Sequence, residues 1–115
     1  MKKNALFVFN GSPMCFIHVL LNALDMTEKG GDAKIIIEGE SVKLLPDLAK
    51  KGSPLNGLWN KALEKKLVAG VCLACAKKLG TYDDAVSQKL TLLDDMAGHA
   101  GMAGWQENGY DIISF

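Results

Sequence analysis

Cys72 and Cys75 stand two residues apart in the stretch GVCLACAKKLG, residues 70–80. That spacing suits a redox dithiol, half of a zinc site, or one reactive thiol with a bystander. A thioredoxin-type dithiol fits the strand-then-helix context, but the intervening pair is Leu73-Ala74, and no proline lies downstream of Pro54 to face the thiols. A structural zinc site needs four ligands, and only Cys15 and His99 are plausible additions, both far away in sequence. Packing alone is a third reading, since a free cysteine is among the most buried residue types. Position favours reactivity. Cys72 falls where an apolar strand feeds a helix, near the N-cap, where backbone N–H groups favour a thiolate. Lys77 and Lys78 add positive charge one turn on.

The elements that must position these thiols can be read from periodicity. Ala5–Phe9, Ala33–Glu38 and Leu67–Val71 are short continuous apolar runs, the pattern of strands buried on both faces. Leu90–Leu93 and Tyr110–Phe115 add a fourth and a fifth strand. Ser12-Pro13 gives an N-cap with proline at the first helical position, opening a helix that is apolar around most of its circumference and stops at Gly30-Gly31. A helical pattern interrupted by Pro46 covers Ser41 to Lys51, and Leu55, Leu58, Trp59, Ala62 and Leu63 mark an amphipathic helix. Ala74–Leu79, a segment from Thr81 to about Lys89, and His99–Asn108 complete the helices. Alternating strands and helices predict a single α/β domain over residues 1–115, a three-layer α/β/α sandwich on a parallel sheet of about five strands.

In an open parallel sheet, ligands bind outside the carboxyl ends of the strands. The loop after the first strand carries Asn10, Ser12 and Cys15; the third strand leads into Cys72 and Cys75; the segment after the fourth carries Asp94, Asp95 and His99. All of them are expected on one rim, with Asn10, Ser12, Cys15 and His99 as candidate binding residues. More ordinary readings stand beside these. Cys15 and His18 suit a buried helix face, His99 a surface histidine, Asp94-Asp95 a helix cap. Gly98, Gly101 and Gly104 suit close helix packing and lack a dinucleotide fingerprint, so no cofactor is expected.

Composition removes several classes. Thirteen lysines balance thirteen acidic residues and arginine is absent, which argues against a nucleic-acid partner. A net charge near zero favours self-association, here a homo-oligomer. The apolar stretch near the N-terminus is too short for a secretory signal and is broken by Asn10-Gly11-Ser12-Pro13, and no run approaches a membrane span. Three cysteines make no disulfide framework, so a cytoplasmic location is expected.

Taken together, ALFVFNGSP at the start, GVC followed by LACAKKLG, and the terminal DIISF resemble the DsrE-like family over nearly the whole chain. These are small cytoplasmic proteins of sulfur metabolism, often oligomeric. The resemblance implies a sulfur carrier or sulfurtransferase in which Cys72 accepts a persulfide sulfur from a donor protein and passes it to an acceptor. Cys75 is an addition to that single-cysteine pattern and is a candidate resolving thiol. The alternative is an oligomeric protein that binds a soft metal such as zinc, or a small ligand, at the Cys72/Cys75 rim.

Overall fold

The computed structural model describes residues 1–115 and has the expected three-layer α/β/α form. Strands β1 (Lys3–Val8), β2 (Asp32–Ile37), β3 (Val68–Cys72), β4 (Leu92–Leu93) and β5 (Asp111–Ser114) form one sheet in the order β4-β3-β2-β1-β5. Every neighbouring pair is parallel, with Leu6 opposite both Ile35 and Ile113, and Cys72 opposite Leu93. Helices α1 (Pro13–Glu28), α2 (Leu45–Ala49), α3 (Asn56–Glu64), α4 (Leu73–Lys78), α5 (Tyr82–Ser87) and α6 (Ala103–Glu107) make the connections, with a 3-10 helix at Gly39–Leu44.

The strand order dictates which face each helix covers. From β1 to β4 the chain steps across the sheet in one direction, and right-handed crossovers place α1 to α5 on one face. The step from β4 to β5 runs back across the whole sheet, so the same handedness sends α6 to the other face. Strand residues divide accordingly. Leu6, Val8, Ile35, Ile37 and Val71 pack with Phe16, Leu20, Leu48, Trp59 and Ala76 in a cluster of 20 buried residues. Ala5, Phe7, Ile36 and Cys72 point the other way, into a cluster of only five that Met102, Trp105 and Tyr110 help to cover. One layer is thick and the other thin.

Three sequence expectations change. Helix α1 is buried along one stripe only, Phe16, Val19, Leu20 and Ala23, whose i, i+3, i+4, i+7 spacing is a single helix face. Leu21 is 45% and Met14 74% exposed, and His18 is exposed as well. The pattern around Pro46 resolves into the 3-10 helix followed by α2, with Pro46 in the first turn, where a missing N–H costs nothing. The expected helix from His99 shrinks to Ala103–Glu107. Its first residues are taken by a tight turn: Met96 and His99 each donate a backbone N–H to the other's carbonyl, both at 2.9 Å. Ala97 and Gly98 between them have φ of 51° and 89°, the left-handed pair that a two-residue hairpin of this hand requires.

Candidate functional site

Adjacent strands whose outgoing connections leave on opposite faces open a crevice at their carboxyl ends. In this sheet that pair is β3 and β4: β3 runs into α4 on the thick side, and β4 runs into the loop that leads to α6 on the thin side. Cys72 is the last residue of β3 and the N-cap of α4. His99 follows β4 on the tight turn. Ala74 N–H donates to the Gly98 carbonyl at 2.9 Å, which ties the turn to the start of α4. The segments that carry the cysteines and His99 are thus fastened to each other by backbone.

The result is a compact cluster. His99 Nδ1 lies 3.4 Å from Cys72 Sγ and 3.7 Å from Cys75 Sγ. Cys75 N–H points at Cys72 Sγ at 3.4 Å. The two sulfurs and a histidine nitrogen all lie within 4.8 Å of one another. Cys72 has no exposed surface. Cys75 is half-buried and, with His99 and Lys78, lines an open pocket of about 390 Å³ whose far wall is Gly39 and Glu40. The two thiols are therefore unequal. Burial pushes the Cys75 thiol up to about 11, reinforced by its hydrogen bond to Cys72 and by the nearby Cys72 and Glu38 charges, against a Gly39 N–H that favours its thiolate. At neutral pH Cys75 therefore holds its proton.

A fourth group went unnoticed in the sequence as a site residue. Glu38 ends the second apolar run and is 5% exposed, with its Oε2 unpartnered. Burial, with Asp95 adding like charge, raises its carboxyl to about 7. The turn it introduces is closely fitted. Gly39 has φ 55°, and a Cβ there would meet the Phe9 carbonyl at 3.2 Å. The Ser41 hydroxyl lies 2.7 Å from both the Val8 and Glu38 carbonyls. The signal for Glu38 was an acidic residue closing a buried strand at the same edge as the cysteines.

The other predicted rim residues stand apart. Asn10 is exposed, and its Oδ1 accepts the Ser12 N–H at 2.7 Å, an internal brace of the loop. Ser12 precedes α1 without a side-chain cap. Cys15 is half-buried on α1 and is not part of the sulfur–histidine cluster, so the expected third thiol is not brought to the pair. The loop does share the edge, since a Cβ at Gly11 would lie 3.0 Å from the Glu40 carbonyl. Asp95 caps no helix; its Oδ1 accepts the Gly101 N–H at 3.1 Å and shapes the loop that holds His99. Lys77 is exposed and lies over the Tyr82 ring, away from the sulfurs.

No family model matches the sequence. Over 97 residues the chain is 35% identical to the uncharacterized protein MJ0733 of Methanocaldococcus jannaschii, which covers 84% of this chain and 77% of that one. The chain belongs to the family of MJ0733. An uncharacterized protein of Archaeoglobus fulgidus is 45% identical over 40 residues, 35% of this chain and 66% of that protein. Among solved structures, the conserved protein of unknown function BT1422 from Bacteroides thetaiotaomicron superposes with a TM-score of 0.67 at 18% identity, covering 97% of this chain and 95% of its own. That likeness concerns the fold. No helix is long and apolar enough to cross a membrane.

Proposed function

We propose that the chain is a persulfide carrier in which Cys72 takes up sulfane sulfur and hands it to an acceptor thiol. The observation that carries the reading is the inequality of the two thiols around one histidine. Cys72 Sγ receives a backbone N–H and lies 3.4 Å from His99 Nδ1, a nitrogen placed to take its proton. Cys72 thiolate attacks the terminal sulfur of a perthiol R–S–SH. The S–S bond breaks, RS⁻ leaves with the electron pair, and Cys72–S–SH forms. An acceptor thiolate then attacks the outer sulfur and regenerates Cys72–S⁻. The DsrE-like resemblance of ALFVFNGSP and GVCLACAKKLG supports the same chemistry and suggests protein partners at both steps, in a cytoplasmic homo-oligomer.

Cys75 fits a resolving role held in check. Its thiolate can attack the inner sulfur of Cys72–S–SH, giving a Cys72–Cys75 disulfide and releasing HS⁻. Two thiols are oxidised and the sulfane sulfur is reduced. A thiol raised to about 11 attacks slowly at neutral pH, so the persulfide survives long enough to be transferred. Cys72 is closed to solvent, so donors reach it when the Met96–His99 turn swings away.

Mass spectrometry after incubation with a low-molecular-weight persulfide donor tests the reading. One added sulfur on the peptide containing Cys72 is expected, absent in Cys72→Ser and longer-lived in Cys75→Ser. No added sulfur in the wild type, or retention of it in Cys72→Ser, overturns the proposal.

A further inference from the structure

The distances within the sulfur–histidine cluster match another chemistry. A zinc ion bound tetrahedrally, with bonds of ~2.3 Å to sulfur and ~2.05 Å to nitrogen, sets sulfur–nitrogen edges of about 3.5 Å and a sulfur–sulfur edge of about 3.8 Å. The two sulfur–nitrogen separations here are 3.4 and 3.7 Å, and all three donor atoms lie within 4.8 Å of one another. Two edges of one face of a coordination tetrahedron are thus already at zinc-bound length, and the third is no longer than 4.8 Å.

The surroundings suit thiolate ligands. Cys72 Sγ faces the Cys75 backbone N–H at 3.4 Å, which offsets charge on a bound thiolate. In the closed arrangement the donors are held by backbone: Cys72 at the end of β3, Cys75 in the first turn of α4, and His99 on a turn joined to α4 by the Ala74–Gly98 bond. Two thiolates and a neutral imidazole balance a divalent cation.

We propose that Cys72 Sγ, Cys75 Sγ and His99 Nδ1 form a three-ligand Zn²⁺ site, with its fourth position open toward the pocket bordered by Glu40 and Lys78. Three protein ligands with one position left open is the pattern of zinc sites that take water or an exogenous ligand, rather than of closed structural ones. The inference goes beyond the carrier reading and does not depend on it. The two chemistries compete, since a metal that engages both sulfurs leaves no free thiolate to accept sulfur.

Co²⁺ reports the coordination directly, through a sulfur-to-metal charge-transfer band and the intense visible bands of tetrahedral geometry. The whole chain is reduced, stripped of sulfane sulfur with cyanide and of metal with a chelator, and titrated with Co²⁺, which Zn²⁺ then displaces. One equivalent bound with thiolate bands is expected. Because Cys72 is fully buried, the deciding variants are the rim residues. Cys75→Ser is expected to cut the charge-transfer band by half or more, His99→Ala to weaken Co²⁺ binding by at least about tenfold, and Cys15→Ser to change nothing, each with unaltered far-ultraviolet dichroism. No thiolate band in the wild type, or a full band in Cys75→Ser, overturns the site; undiminished affinity in His99→Ala removes the histidine from it. Persulfide uptake measured on the same metal-free sample is a separate readout, so either idea can fail alone. Prior Zn²⁺ loading is expected to suppress that uptake.

Discussion

The contact between β3 and β4 is the part of the fold on which the site most depends, and Gly70→Ala probes it. A Cβ at Gly70 would lie 2.5 Å from the Thr91 carbonyl oxygen and 2.8 Å from Leu93 Cγ. Ordinary contact begins at 3.4 Å, so the backbone of β4 must retreat by roughly 0.9 Å, the difference from 2.5 Å. Little holds β4 against such a push. It pairs through only Val71–Leu92 and Cys72–Leu93, and the Val71 N–H donates to the same Thr91 carbonyl at 2.8 Å. Overpacking of this kind costs about 1–3 kcal/mol. Restricting the unfolded chain returns about 0.4–1 kcal/mol. A net loss of about 1–2 kcal/mol corresponds to a Tm lowered by about 4–8 °C. The displaced strand leads into the turn that carries His99, so the 3.4 Å approach to Cys72 should loosen. Thermal denaturation gives the first number, and alkylation of Cys72 under native conditions gives the second. A Tm within a degree of wild type together with unchanged Cys72 protection would refute the claim that Gly70 sets the β3–β4 spacing.

Other outcomes follow from the same geometry. The Glu38 carboxyl rises from 4.5 to about 7 on folding, so the folded chain binds more protons than the unfolded chain between those values. Stability should therefore be full below about pH 4.5 and decline as pH climbs to about 7, and urea titrations of Glu38→Gln should show this decline removed. Cys75, raised to about 11, should alkylate at a rate that still climbs about tenfold per pH unit at pH 9, where an ordinary thiol levels off; a plateau near pH 8.5 would contradict this. Ala97→Val puts a β-branched side chain at φ 51° and should cost more than about 1 kcal/mol while exposing Cys72 to alkylation, as judged by denaturant midpoint and labelling rate.

Much of the fold was legible because buried parallel strands are written as unbroken apolar runs. ALFVF, AKIIIE and LVAGV fall on β1, β2 and β3, and the strand-end rule then brought Cys72, Cys75 and His99 to one edge. Where the reading slipped, the deciding contacts were between distant segments. Nothing local in MAGHAG shows that Ala97-Gly98 forms a turn held by Ala74, because that bond joins residues 24 apart. Apolar content alone overstated the burial of α1, since Leu21 and Met14 face outward with no second layer above them. Cys15 shares the sheet edge in sequence, but as the third residue of α1 it stays outside the Cys72–Cys75–His99 group. Glu38 passed for the last residue of a strand because its burial depends on how the next turn folds over it.

The thinness of one layer decides how Cys72 is reached from solvent. Twenty buried residues lock α1 to α5 onto the sheet, whereas α6 has no fully buried residue and its side is closed by a cluster of five. The segment from Asp94 to Gly109 is therefore the natural unit to open first while the rest stays folded. On the carrier proposal, reaction at Cys72 would proceed at the chemical rate multiplied by the fraction of molecules open. An opening free energy of about 3 kcal/mol would slow it by more than a hundredfold. A partner that bound and held this flap aside would raise the rate without touching the sulfur. For a sulfur that every passing oxidant could otherwise reach, such a flap sets which encounters count.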